Sequence, residues 1–167
     1  MSTLLSLSEY DWSVWTPGIR STLVFVLQDN EVLLIHKKTG LGQGKINAPG
    51  GKIEPGETAA QCARREVKEE VGLDVSDLSE VAELRFLMSD HPDIHCRAYF
   101  TSTFTGTPTE TREAKPFWCP LTQIPYHRMW PDDHLWLPRA LQGHRIRGSF
   151  CFEGDTLLSH WLERIEV

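Results

Sequence analysis

Three glutamates, Glu66, Glu69 and Glu70, stand within one short run of the chain. At about 100° per residue a helix gathers them onto one face, with Glu69 and Glu70 each within roughly 60° of Glu66. Like charges so spaced destabilise a bare helix. They become favourable around a hard divalent cation, because such ions take oxygen ligands and bridge to substrate phosphates. Mg²⁺ is the expected ion, with Mn²⁺ as the alternative. Arg65 is placed to pair with an acid, Glu57, and so to hold the preceding loop against the helix. The commoner meaning of a glutamate-rich helix is a solvated acidic face, so the surrounding residues must decide.

Those residues form a glycine-bounded loop followed by a helix. Thr58 with Gln61 three positions later is a capping box. Gly72 stands where a helix end wants a left-handed residue. Between them Ala60, Ala63, Val67 and Val71 recur at spacings of three and four, an apolar stripe of small residues that lets the helix pack closely. The whole stretch reads Gly51-x5-Glu57-x7-Arg65-Glu66-Val67-x-Glu69-Glu70-x-Gly72-Leu73. At ordinary residue frequencies it would arise by chance on the order of once in a billion starting points. The solvated-face reading does not account for it.

The segment resembles the Nudix box at every fixed position. The resemblance implies a Mg²⁺-dependent hydrolase of nucleoside diphosphates linked to a further group. It also implies an α/β/α sandwich with a mixed β-sheet. The residues read the same way, since strands interspersed with two main helices suggest a mixed sheet between helices. STLVFVL (21–27) and VLLI (32–35), joined at Asp29-Asn30, are a hairpin signal. Val81 to Met88 and His95 to Phe104 read as two more strands, split by a turn at 89–93. A short strand begins at Phe117-Trp118, a turn or short helix covers 120–126, and a second helix runs from Asp132 or Asp133 towards Leu141. Arg145 to Phe152 and Thr156 to Ile165 read as a final hairpin.

The 167 residues suit one domain, expected at 18–167 behind an extension at 1–17 whose Trp12 and Trp15 pack on the body. A net charge of −6 argues against a nucleic-acid polymer as partner, and so against cap removal from RNA. The N-terminus lacks the basic start of a signal peptide, and no stretch has transmembrane length. Four scattered cysteines without C-x-x-C suit reduced thiols. The expectation is a cytoplasmic monomer acting on a small-molecule nucleotide.

The box speaks for the bond cut, and Met129 to Asp133 (MWPDD) for the base held. An indole beside two carboxylates can stack a purine and accept hydrogen bonds from its edge. Trp130 as a core aromatic and the aspartates as helix caps are the plainer alternatives. The runs STLVFVLQ, HKKTGLGQG, GTP (106–108), QIP (123–125) and MWPDD resemble the MutT-related branch that hydrolyses oxidised purine nucleoside triphosphates such as 8-oxo-dGTP and 2-oxo-dATP. This second resemblance covers residues 19 to 167. It implies base recognition by Asn47, Trp130, Asp132 and Asp133, and pocket walls from Thr22, Lys37, Leu41 and Phe86. It implies metal held by the Gly50 carbonyl, Glu66, Glu69, Glu70 and Glu113, with Arg65 and Glu57 in the catalytic group. Leu41 and Met88 depart from that branch, which carries phenylalanines there. A hydrolase of a sugar nucleotide or dinucleoside polyphosphate would not need MWPDD. A non-catalytic nucleotide-binding module would not need the full set of box glutamates.

Overall fold

The computed structural model describes residues 6–165; the first five residues of the expected extension and the last two of the expected domain lie outside them. Strand β1, Ile19–Gln28, shows how the layers arise. Successive side chains on a strand face opposite ways. Val24 and Val26 join one apolar cluster with helix α1 (Ala59–Val71), whereas Phe25 joins a second cluster with helix α2 (Asp133–Leu141). Strand β2, Glu31–Lys37, repeats the pattern, with Leu33 and Ile35 towards α1 and Val32 and Leu34 towards α2. Strands covered on both faces read as continuous apolar runs, which is why these two were legible. The fold is the expected α/β/α sandwich.

The remaining strands are β3 (Ile46–Asn47), β4 (Gly50–Lys52), β5 (Asp74–Ser76), β6 (Ser79–Met88), β7 (Ile94–Thr101), β8 (Thr103–Thr105), β9 (Ala114–Pro120), β10 (Ile146–Glu153) and β11 (Thr156–Arg164). The main sheet runs β11-β10-β6-β7-β1-β2-β3, with β4 added to β1 and β9 to β2. It is mixed: β1–β7 and β6–β10 are parallel and the other pairs antiparallel. β1 changes partner along its length. Leu27 and Gln28 pair with β2 through a turn in which Asp29 and Asn30 have φ of 50° and 62°, while Ser21 to Leu23 pair with β4. The sheet divides at that change.

Two strand expectations need correction. Strand β9 begins at Ala114, ahead of the Phe117 expected to open it. His95 to Phe104 is two strands, not one, and β8 leaves the main sheet to pair with β5. The break is local: the Thr101 hydroxyl accepts the Thr103 N–H at 3.1 Å and donates to the Ser76 carbonyl, a hydroxyl-made turn.

Helix α1 is bounded as its sequence requires. Gln61 N–H donates to Thr58 Oγ1 at 3.1 Å, Thr58 N–H donates to Gln61 Oε1 at 2.9 Å, and Gly72 closes the helix at φ 79°. Its buried residues are Cys62, Ala63, Val67, Glu70 and Val71, so Cys62 takes the place expected for Ala60. Thr58→Ala is expected to lower stability by about 1 kcal/mol, read from the denaturant midpoint. An unchanged midpoint would show that the cap is redundant.

Candidate active site

Strand β4 brings backbone against the acidic face of α1. A Cβ on Gly51 would lie 2.3 Å from Glu66 Cδ, and one on Gly50 2.0 Å from the Thr22 carbonyl oxygen. Only glycine lets this strand pass so close. Glu66, Glu70 and Glu113 each place a carboxylate oxygen within 4.8 Å of the others. Glu113 comes from the loop before β9, which Thr111 fastens to α1 by donating to the Glu70 carbonyl at 2.7 Å.

Glu70 is only 4% exposed, and the Gly50 N–H approaches its Oε2 at 3.4 Å. Burial pushes its carboxyl up to about 7, against the opposing charge of Lys37 and with the help of Glu66. Burial also raises Glu66, while Arg65 works against the rise. Three crowded carboxylates, Glu70 buried, Glu66 half-buried and Glu113 exposed, form an oxygen-only donor set whose mutual repulsion a hard divalent cation relieves. The residues present fit such an ion.

Arg65 is the clamp of the loop. Its Nε and Nη2 donate to the two oxygens of Glu57 at 2.7 and 2.9 Å, Nη1 to Glu66 at 2.8 Å, and Nη2 to the Lys52 carbonyl at 3.0 Å. The paired guanidinium draws the Glu57 carboxyl down to about 2. Neither Arg65 nor Glu57 lines the cavity described next; they hold its wall. Glu69 stands apart from the other glutamates, half exposed and held by Arg65 at 3.3 Å.

A cavity of about 780 Å³ runs from this cluster across the end of the sheet. Lys37, Leu41, Asn47, Phe86, Trp130 and Asp132 lie along it, with Thr22, Gly50, Glu66, Glu70 and Glu113. The Asn47 Oδ1 accepts the Ala48 N–H at 2.8 Å, which leaves its amide N–H groups to be offered elsewhere. Trp130 meets Phe152 edge-on at 5.8 Å, and the Lys45 ammonium lies 5.0 Å from its ring centre. Trp136, not Trp130, is the fully buried tryptophan of this region. Leu41, at the cavity rim, is 44% exposed, and Phe86 stacks on Phe150 at 5.4 Å.

Asp132 and Asp133 are each 3% exposed. Asp132 occupies the N-cap position of α2 but makes no side-chain capping bond; its Oδ2 accepts the Trp136 indole N–H at 3.1 Å instead. Burial lifts Asp132 to about 6, and burial with the charge of Asp132 lifts Asp133 well above the usual carboxylate range. Burial and the closeness of the two carboxyls therefore favour a proton held between them. Asp132 faces the cavity, whereas Asp133 stands behind it, with Oδ2 buried and lacking a hydrogen-bond partner.

Several wall residues were not anticipated: Ile19, Ser21 and Leu23 on β1, Ile94 and Cys96 on β7, and His91 and Phe152. The signal for the first three was alternation, since they share the parity of Phe25. Thr22 has the opposite parity, and its hydroxyl meets Cys62 Sγ at 3.3 Å beneath α1. Nothing in the pattern of a turn marks His91.

The NUDIX domain family matches residues 18–140. An oxidized purine nucleoside triphosphate hydrolase of Danio rerio is 41% identical over 149 residues, covering 87% of this chain and 94% of that protein. The protein of the same name from Mus musculus is 42% identical over 147 residues, with 87% and 94% covered. The crystal structure of a MutT protein from Bacillus halodurans matches with a TM-score of 0.77 at 24% identity, covering 87% of this chain and 97% of that one, a likeness of fold.

Proposed function

The chain belongs to the NUDIX family, and on that footing we propose that it hydrolyses oxidised purine (deoxy)nucleoside triphosphates to the monophosphate and pyrophosphate. The supporting observation is that one cavity joins the Glu66–Glu70–Glu113 cluster to Trp130 and Asp132. A nucleotide laid along it puts its phosphates at the carboxylates and its base at the indole.

Glu66, Glu70 and Glu113 would hold a divalent cation, Mg²⁺ or Mn²⁺, with the Gly50 carbonyl beside them; Glu69 joins by turning away from Arg65. Such a cation supplies neutralisation of the phosphates and Lewis-acid polarisation of their oxygens. Lys37 adds a fixed positive charge on the same wall. Water attacks phosphorus, the α–β anhydride bond breaks, and pyrophosphate leaves. One of Glu66, Glu69 and Glu70 takes or orients the water's proton. Arg65 and Glu57 keep the loop and helix in register while this happens. At the other end Trp130 stacks the purine, Asn47 offers its amide, and Asp132, sharing a proton with Asp133 behind it, meets the base edge. Every one of these groups comes from a single chain, and the four cysteines are unpaired, as a reducing cytoplasm would keep them.

Steady-state hydrolysis of 8-oxo-dGTP by wild type and Trp130→Ala tests the base end. Stacking a base is worth about 1–3 kcal/mol, so KM should rise roughly tenfold or more while the fold persists. An unchanged KM, or loss of the fold by circular dichroism, would make Trp130 a packing residue and remove the base from this position.

A further inference from the structure

The segment before the matched domain is built onto the cavity wall, and we propose that Trp15 is a positioning residue for the base-binding end, acting through Asp93. This rests on the reading of that end as the site of the purine. Asp93 closes the turn between β6 and β7, and each of its oxygens has a different partner. The Trp15 indole N–H donates to Oδ2 at 2.9 Å, and the Met88 backbone N–H donates to Oδ1 at 2.9 Å. The Asp93 carbonyl accepts the Ile19 N–H at 3.0 Å. Met88, Ile19, His91 and Ile94 all line the cavity. One residue thus ties the N-terminal segment to the end of β6, the start of β1 and the turn carrying His91.

Trp15 is itself held in place. It packs edge-on against Trp12 at 5.1 Å, and Trp12 covers the guanidinium of Arg85 at 4.5 Å. The Trp12 indole N–H donates to the Leu7 carbonyl at 3.2 Å, and Leu7 is 5% exposed. Gly18 runs against the turn so closely that a Cβ there would lie 2.8 Å from Pro92 Cβ. Stacking on Arg85 would suffice for a segment that merely adheres to the surface. The indole N–H aimed at Asp93 does more, because it fixes the carboxylate that in turn fixes Met88. Without that donor the carboxylate is free to rotate off the Met88 amide, and the wall of Met88 and His91 loosens.

The test uses the full chain with Trp15→Phe, which keeps a ring and removes the N–H, and Asp93→Asn, which leaves one acceptor oxygen for the two N–H donors of Trp15 and Met88 and so breaks the bridge between them. Each should raise KM for 8-oxo-dGTP about fivefold, the equivalent of one hydrogen bond, with kcat within about twofold of wild type. The double variant should be no worse than either single one, since both break one link. Amide hydrogen exchange across residues 88–94 should quicken in both variants and stay unchanged along α1. A lowered melting temperature with KM and exchange unchanged would make Trp15 only a surface anchor and overturn the proposal, as would additive effects in the double variant. If wild type failed to hydrolyse 8-oxo-dGTP, the functional reading would fall. The exchange arm needs no substrate and would then decide: quickened exchange supports the link, unchanged exchange refutes it.

Discussion

Glu70→Gln and Glu66→Gln should each lower kcat/KM by more than about 100-fold. Disturbing groups that merely orient metal ligands costs about 10–100-fold, and these two carboxylates are placed to be ligands themselves. A second readout separates metal loss from damage to the fold. A cation that binds only the folded protein raises its melting temperature with concentration. Wild type should show that rise between EDTA and millimolar Mg²⁺, and either variant should show little of it. Glu70→Gln should be no less stable than wild type in EDTA, since it relieves a buried carboxyl among crowded carboxylates, whereas Glu66→Gln also gives up its ion pair with Arg65 and is compared with its own value in EDTA. Near-normal turnover, or an undiminished Mg²⁺-dependent rise in melting temperature, would refute this metal site.

The second large effect belongs to Asp132 and Asp133. With one proton between them, the pair presents both an acceptor and a donor, so an oxidised guanine and an oxidised adenine can each find a match. Asp132 faces the cavity, and Asp132→Asn replaces half its acceptors with a donor. Hydrogen bonds to charged groups are worth about 1.5–3 kcal/mol, so activity on 8-oxo-dGTP should fall at least about tenfold relative to 2-oxo-dATP. Asp133→Asn mimics the protonated partner and should also shift the ratio by freezing the pattern. The stability effect has a definite sign. Burial raises both carboxyls in the folded state, Asp132 to about 6. The folded protein therefore holds the proton more tightly than the unfolded chain. The pair's contribution is full below about pH 4, the unfolded value, and is lost as pH rises through about 6. Asp133→Asn should melt higher than wild type at pH 7.5, and the gain should vanish near pH 4. A wild-type substrate ratio in both variants, with no pH-dependent gain, would leave the aspartates without a role in base selection.

What was legible in the chain was what is local. Thr58, Gln61 and Gly72 bound α1 through contacts within a few residues, and they stand where expected. The apolar runs of β1 and β2 announce burial on both faces. β3 and β4 were not visible, because they span two and three residues and Gly50-Gly51 has no strand preference of its own. They form only because β1 and β2 offer edges. Glu69 shows the limit of a helical wheel. Its angle groups it with Glu66 and Glu70, but Arg65, already committed to Glu57, draws it outward. Glu113 comes from a distant loop and could be anticipated only by resemblance. Thr22 lines the cavity as named, but its neighbours Ser21 and Leu23 were not named, because resemblance marked a position and did not weigh which way the strand faces. Trp15 and Asp93 are 78 residues apart, and no pattern in the chain connects them.

The most direct test is product analysis by wild type, in Mg²⁺ and in EDTA, across dGTP, dATP, 8-oxo-dGTP, 2-oxo-dATP, a sugar nucleotide and a dinucleoside polyphosphate. The expected result is Mg²⁺-dependent conversion of the oxidised purine triphosphates to monophosphate and pyrophosphate, well ahead of their unmodified counterparts. Faster turnover of the sugar nucleotide or dinucleoside polyphosphate, or no hydrolysis of any nucleotide in Mg²⁺, would contradict it.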